Sequence, residues 1–220
     1  MGNPPGDLAG RQRRHWQQTY TEHPDMYGLE PSAPARYAVD LFRQRGVRTV
    51  LELGAGHGRD TLAFLRAGLH VTALDAAPAG IDRLRDHAAA AGRGDVLDTR
   101  LHDVRQPLPL SAGSVDAVYS HMLLCMAFTT AELESIAAEI DRVLRPGGWH
   151  VFTVRHVGDP HYRVGVGHGD DIWEHGGFAV HYFDRRLVDR LAKGADVVDV
   201  AELLEGELPR HLWRVTLAKS

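Results

Sequence analysis

The sequence predicts an α/β domain: a doubly wound, mostly parallel seven-stranded sheet that ends in an antiparallel strand pair. Three observations carry this. Short strand-like runs alternate with amphipathic helical runs over most of the chain, the first strand-like run empties into a glycine-rich loop, and the last two are joined by only a short connection. Alternation of this kind gives right-handed βαβ units on a parallel sheet covered on both faces. A short final link instead favours antiparallel pairing.

Taken in order, Met1–Gly10 is rich in Gly and Pro and is expected to fray. Pro31–Gly46 reads as a helix with Ala35, Ala38, Val39 and Phe42 on one face and Gly46 at its end. Arg48–Leu53 is a buried strand. Asp60–Ala67 is a helix with Leu62, Ala63 and Leu65 inward, closed by Gly68. His70–Asp75 is the second strand and Pro78–Ala91 the second helix of the alternation, its Ile81, Leu84 and Ala88 at helical spacing. Val96–Leu101 and Val115–Ser120 are further strands. Thr129–Leu144 is a long helix, opened by a capping box of Thr129 and Glu132 and striped by Leu133, Ile136, Ile140 and Val143. Arg145–Gly148 is expected to turn into a fifth strand, Trp149–Val154. An irregular His/Gly-rich insertion follows, then a helix at Asp184–Leu191 and strands near Asp196–Leu203 and His211–Ala218.

Composition narrows the function. The chain has 220 residues, 25 Lys+Arg against 29 Asp+Glu, and a formal net charge of -4. This is one domain, 1–220, large enough for a proper core. Slight acidity without a basic stripe argues against nucleic acid as a partner. The single cysteine, Cys125, excludes an internal disulfide, fits a reducing compartment, and lies in an apolar run as a small core residue. The start holds no apolar stretch that could serve as a signal peptide, and no run could span a bilayer. The expectation is a soluble cytoplasmic protein with no membrane partner; its oligomeric state is not legible.

In such a sheet the ligand sits beyond the carboxyl ends of the strands, where strand order reverses. The first strand ends in Glu52-Leu53-Gly54-Ala55-Gly56-His57-Gly58-Arg59-Asp60, and Asp75 ends the next strand, 19 residues after Gly56. Glycines there let a ligand approach the backbone, the helix offers free N–H groups, and the carboxylate can accept both hydroxyls of a ribose. A dinucleotide fingerprint started at Gly54 would need glycine where Arg59 stands; the spacing is GxGxG, preceded by Glu52. VLELGAGHGRD resembles the first motif of class I S-adenosylmethionine (SAM)-dependent methyltransferases. Asp75 in VTALDAA, His102-Asp103-Val104, Asp116 in SVDAVYS, and LRPGGWHVF resemble that family's following motifs, in order. The likeness covers roughly Val50–Val154 and implies the Rossmann-like methyltransferase fold. Trp16, Tyr20, His23–Gly28, Asp159-Pro160, Val180–Phe183 and His211–Arg214 are similar to the small-molecule branch that includes tellurite-resistance and thiopurine methyltransferases.

The resemblance implies SAM as cofactor, S-adenosylhomocysteine as product, and a small-molecule acceptor methylated by in-line displacement. Gly54, Ala55 and Gly56 would meet the methionine and ribose parts. Glu52 would bridge to the amino group or order the loop. Asp75 would hold the ribose, with Ala76 beneath adenine, Asp103 accepting from its amino group and Val104 offering a backbone N–H. Trp16, Arg59 and Ser120 complete the cofactor set, although Arg59 and Asp60 both fit the first turn of a helix for purely structural reasons. Trp16, Tyr20 and Tyr27, in an N-terminal lid segment (1–30), close the site or staple a helix to the core.

Of 14 histidines, six (His150, His156, His161, His168, His175, His181) fall within 32 residues. The insertion, 155–182, is expected to project over the acceptor. His121, at the end of the fourth strand, is a candidate general base or a strand-end hydrogen-bonding group. His156 and His181 are chosen for acceptor contact because they flank ordered elements. The spacing matches no named metal motif, so no metal site is expected, with a Zn²⁺ or Fe²⁺ lid site as the alternative. Rival functions are cyclisation or cleavage of SAM, metal-assisted chemistry, and a non-catalytic SAM-binding module.

Overall fold

The computed structural model describes residues 8–23, 26–206 and 210–220. Helix α1 (Leu8–Glu22) precedes α2 (Ala33–Gln44), β1 (Thr49–Leu53), α3 (Arg59–Arg66), β2 (His70–Asp75), α4 (Pro78–Ala90), β3 (Leu97–Leu101), β4 (Val115–His121), α5 (Thr130–Val143) and β5 (Leu144–Arg155). Then come β6 (Val166–Gly167), β7 (Ile172–His175), β8 (Phe178–His181), α6 (Arg185–Leu191), β9 (Ala195–Glu205) and β10 (Arg210–Lys219). The main sheet has seven strands in the order β3-β2-β1-β4-β5-β10-β9. β1 through β5 pair in parallel, and β10 runs antiparallel to both β5 and β9. Strand order reverses between β1 and β4, which opens a crevice at their carboxyl ends.

Each face of the sheet has its own core. Phe42 of α2, Leu62, Phe64 and Leu65 of α3, and Leu84 of α4 pack on one face with Tyr119 and Val151. Leu133, Ile136 and Ile140 of α5 and Leu187 and Val188 of α6 pack on the other with Phe152 and Val215. The helix ends follow from the residues there. Ser32 caps α2 by accepting from the Ala35 N–H, and Thr129 and Glu132 form the expected capping box on α5. Cys125 is fully buried, and burial pushes its thiol up to about 11, as for an inert core group.

Several expectations shift. Leu8–Gly10 begin α1; Met1–Asp7 lie outside the described residues. Phe64 rather than Ala63 faces inward on α3, and Val39 is only half-buried. Arg145–Gly148 does not separate helix from strand: β5 starts at Leu144, and the pairing with β4 slips between Val115 and Ala117 while Gly147 takes a positive φ of 71°. The insertion is not irregular. It folds as a second, three-stranded antiparallel sheet, β6-β7-β8. Its key turn is His175-Gly176-Gly177-Phe178, where both glycines have positive φ (61° and 81°) and His175 pairs with Phe178. That is the two-residue hairpin turn whose twist matches its strands.

Candidate active site

A cavity of about 510 Å³ lies at the carboxyl ends of β1, β2 and β4. The β1–α3 loop forms its floor, α1 crosses it, and the β7–β8 hairpin closes the far side. Around the floor the backbone is committed: the Gly54 and Ala55 N–H groups donate to the Leu74 carbonyl (2.8 and 3.1 Å), and the Gly56 N–H donates to Asp75 (2.8 Å). Gly56 needs its missing Cβ twice over. Its φ is +53°, and a Cβ would stand 2.7 Å from the Tyr20 hydroxyl. Gly58 begins α3 in the left-handed region, and a Cβ there would collide with Leu84.

Three carboxylates ring this loop. Glu52 is buried, accepts from the Thr61 hydroxyl (2.5 Å), and is pushed well above the usual carboxylate range by burial and by Asp60. Asp75 accepts the Gly56 and Ala77 N–H groups (both 2.8 Å); burial raises its carboxyl and these bonds oppose the rise. Each of its oxygens takes one backbone N–H and keeps acceptor capacity toward the cavity. Asp103 bonds the Arg105 guanidinium (3.2 Å) and faces Arg13 of α1 at 3.6 Å.

Asp60 has a structural task. Buried beneath α3, it accepts the Ser32 N–H and hydroxyl (both 2.8 Å) and the Tyr119 hydroxyl (2.9 Å), tying α2, α3 and β4 together. Its neighbour Arg59 lies 3.7 Å from it through Nε and reaches Glu205 on β9 (3.2 Å), with its guanidinium over the Tyr27 ring (5.2 Å). The same Glu205 oxygen meets His121 Nε2 at 3.3 Å, while His121 Nδ1 lies 2.8 Å from the Thr153 hydroxyl. Burial alone would raise the Glu205 carboxyl, but His121 and Arg59 outweigh it and hold it down at about 2. His121 therefore has both ring nitrogens engaged. Met122, next along the chain, takes a left-handed φ of 59° and donates its N–H to Thr153 (3.0 Å).

The structure brings Trp16, Glu52, Gly54, Ala55, Gly56, Arg59, Asp75, Ala76, Asp103, Val104 and His121 to the cavity wall. Ser120, His156 and His181 do not reach it. Side chains alternate along a strand, so a one-residue step reverses direction. Ser120 precedes His121 and is fully buried, its hydroxyl without a hydrogen-bond partner. His156 follows Arg155; it stacks flat on Trp213 (4.6 Å, 4°) and accepts the Gly158 N–H, while burial lowers its pKa. On the hairpin, His175, Phe178 and Val180 share the cavity-facing side and His181 the other, where its Nδ1–H donates to the Phe128 carbonyl (2.7 Å).

In their place the wall carries Arg155, His161, His175, Phe178 and Tyr182. Arg155 grips Asp159 in two bonds (2.9 and 2.5 Å), and Asp159, its side chain fully buried, also accepts the His161 and His211 N–H groups. The missed signal was the Gly176-Gly177 pair: read as a hairpin turn, it sets the parity of every residue beside it. Among the described residues no group of three or more His, Cys, Asp or Glu side chains could hold a metal ion. Among the described residues no helix is long and apolar enough to cross a membrane.

Comparisons with known proteins find similarity to methyltransferases. Residues 50–148 match the methyltransferase domain family. An uncharacterized methyltransferase of Mycobacterium tuberculosis is 37% identical over 118 residues, 54% of this chain and 44% of that protein. Phosphoethanolamine N-methyltransferase 1 of Triticum aestivum is 34% identical over 131 residues, 53% of this chain and 25% of that protein. These matches span less than half the length of the curated relatives. The Burkholderia thailandensis 1,6-didemethyltoxoflavin-N1-methyltransferase, solved with 1,6-didemethyltoxoflavin and S-adenosylhomocysteine, superposes with a TM-score of 0.76 at 21% identity, covering 100% of this chain and 92% of that one. TehB from Haemophilus influenzae gives 0.66 at 15% identity, covering 93% of this chain and 67% of that one. At these identities the structural likeness is one of fold. Residues 50–148 are thus similar to the methyltransferase domain family, and the chain shares the fold of these solved methyltransferase structures.

Proposed function

We propose that the protein binds SAM on the β1–α3 loop and moves its methyl group to a small-molecule acceptor held beneath α1 and the hairpin. The observation that carries this reading is the ring of Glu52, Asp75 and Asp103 around a glycine loop that tolerates no Cβ at Gly56. The donor set suits the cofactor. Glu52, buried and raised, is completed by an ammonium; Asp75 has acceptor capacity for two hydroxyls; Asp103 and the Val104 backbone suit the edge of a purine. Bound SAM supplies a methyl group already activated on a sulfonium. The protein's share is alignment and exclusion of water, for which Trp16 and Tyr20 of α1 and Phe178 of the hairpin form the covering wall.

The whole chain acts as one unit in this proposal, with residues 8–23 and 155–182 as its two covering walls. A small acceptor is favoured by the cover that α1 and the hairpin give the cavity and by the toxoflavin-precursor enzyme among the structures of similar fold. The TehB likeness does not assign a tellurite or thiopurine branch. Mass spectrometry of SAM turnover, with thiol, chalcogen-oxyanion, amine and ring N–H or O–H acceptors, tests the reading. S-adenosylhomocysteine formed in step with a methylated acceptor is the expected result. Methylthioadenosine, or turnover that a chelator abolishes, would overturn it.

A further inference from the structure

We infer that the acceptor is a planar, uncharged ring compound whose attacked nitrogen or oxygen carries a proton, and that His175 receives that proton beside His161. This rests on the methyl-transfer reading above.

The wall supplies the shape. Trp16 and Phe178 meet edge to face (5.7 Å, 87°), and Tyr182, Met122, Met126 and Val180 extend the same apolar surface. Flat rings pack well on such a surface, and methionines adjust to their outline. The charges exclude an ammonium. Asp159 is already matched by Arg155, and Glu205 by Arg59 with His121 on the same oxygen. Arg155 is matched by Asp159 in turn and Arg210 adds a further positive charge to the wall, so a cationic acceptor would meet here no carboxylate without a cationic partner.

Proton handling points to the pair of rings on the hairpin side. His121 has both nitrogens occupied. His161 Nδ1 faces Arg155 Nη2 at 3.1 Å; a guanidinium only donates, so Nδ1 accepts and the neutral ring carries its proton on Nε2. His161 is thereby a positioned donor. His175, exposed at the hairpin turn, lines the same cavity with its ring 5.8 Å from that of His161. The hairpin turn fixes it on the cavity side with its cross-strand partner Phe178. The charged and titratable groups facing it are His161, Arg155 and Asp159 from the β5 side, with His15 of α1 beyond Phe178 (5.4 Å); Glu174, Arg11 and His168 interact on the hairpin's opposite face. In the reaction the acceptor forms its bond to the methyl carbon as the carbon–sulfur bond breaks. Sulfur keeps that electron pair, and the acceptor's N–H or O–H proton passes to His175 and then to water.

The test uses the full chain saturated with S-adenosylhomocysteine, probed with lumazine and 2-naphthol as planar N–H and O–H compounds and with ethanolamine as the cation. Ring-proton resonances of His161 and His175 are identified by their loss in His161→Gln and His175→Gln. Both resonances should move with the planar probes and stay fixed with ethanolamine. With SAM, His175→Gln should lower formation of methylated planar probe by about 100-fold and remove the acid limb of the rate profile, a loss typical of a missing general base. His70→Gln, at an exposed position at the start of β2 outside the cavity, should leave both intact. His175→Gln that binds S-adenosylhomocysteine normally yet keeps the full rate and acid limb overturns the role of His175. Shifts with ethanolamine alone, or planar probes that bind without being methylated, overturn the acceptor assignment. If the unaltered protein does not bind S-adenosylhomocysteine, the methyl-transfer reading itself falls, and the two failures are distinguished.

Discussion

The two walls of the cavity are built in different ways. On the loop side, Glu52 and Asp75 sit near the ends of β1 and β2, in strands fixed by pairing with their neighbours, and the β1–α3 loop is anchored by backbone bonds to Leu74 and Asp75. On the hairpin side, the residues come from a small separate sheet and from α1, joined across the chain by Gln12, whose side-chain amide donates to the Ala179 carbonyl (2.7 Å) and accepts the Ala127 N–H (2.8 Å). Position along the sequence places the first wall. Parity and long-range docking place the second.

If this contrast is sound, damage to the loop side should cost folding or SAM affinity, and damage to the hairpin side should cost turnover alone. Asp60→Ala is the largest test. It strands the Ser32 N–H in the core, leaves the Ser32 and Tyr119 hydroxyls only each other (3.2 Å), and should destabilise the fold by about 3 kcal/mol, read by denaturant unfolding. Asp75→Ala removes charge-assisted bonds to the proposed ribose site and should weaken SAM binding by about 1–3 kcal/mol in calorimetry; unchanged affinity in a folded variant would sink that placement. Gly56→Ala should reduce SAM affinity by about tenfold, since the strained left-handed backbone alone costs about 1–2 kcal/mol. Tyr20→Phe in the same background relieves the clash and should recover part of the affinity. The smallest effect is expected from His156→Phe, which keeps the stack on Trp213 and should change stability by about 1 kcal/mol or less and leave methyl transfer unaltered.

Acid stability offers a probe independent of both walls. His150 is buried on the β5 face, its Nε2 without a hydrogen-bond partner, and burial lowers its pKa to about 3. In the unfolded chain a histidine titrates near 6.5, so between about pH 6.5 and 3 the unfolded state binds the extra proton. Stability therefore falls as pH drops through that window, by at most about 1.4 kcal/mol per pH unit from this group. His150→Leu should flatten that slope in pH-dependent unfolding. A slope that is unchanged would show that His150 does not stay neutral in the folded chain.

The legible part of the molecule is the part governed by local rules. Strand and helix order, the capping box on α5, the glycine loop and the carboxylates beyond β1 to β3 all follow from periodicity, caps and glycine spacing, because each depends on residues within one βαβ unit. Histidines were a weaker guide. His156 and His181 are each one step from a residue that does reach the cavity, Arg155 and Tyr182 or Val180, and composition carries no record of which way a side chain points. His121 reaches the wall but arrives with both nitrogens bonded, one to Glu205 from 84 positions away.

By itself the sequence determined a seven-stranded α/β fold, its crevice, and the acidic ring around the glycine loop, since hydrophobic spacing and backbone conformation are local properties. Only the tertiary structure decided that the histidine-rich insertion is a hairpin sheet, that α1 lies across the cavity, and that His161 and His175 rather than His156 and His181 face it. Those outcomes depend on strand parity set at a single Gly-Gly turn and on contacts such as Gln12 to Ala179, 167 residues apart, which no local pattern encodes.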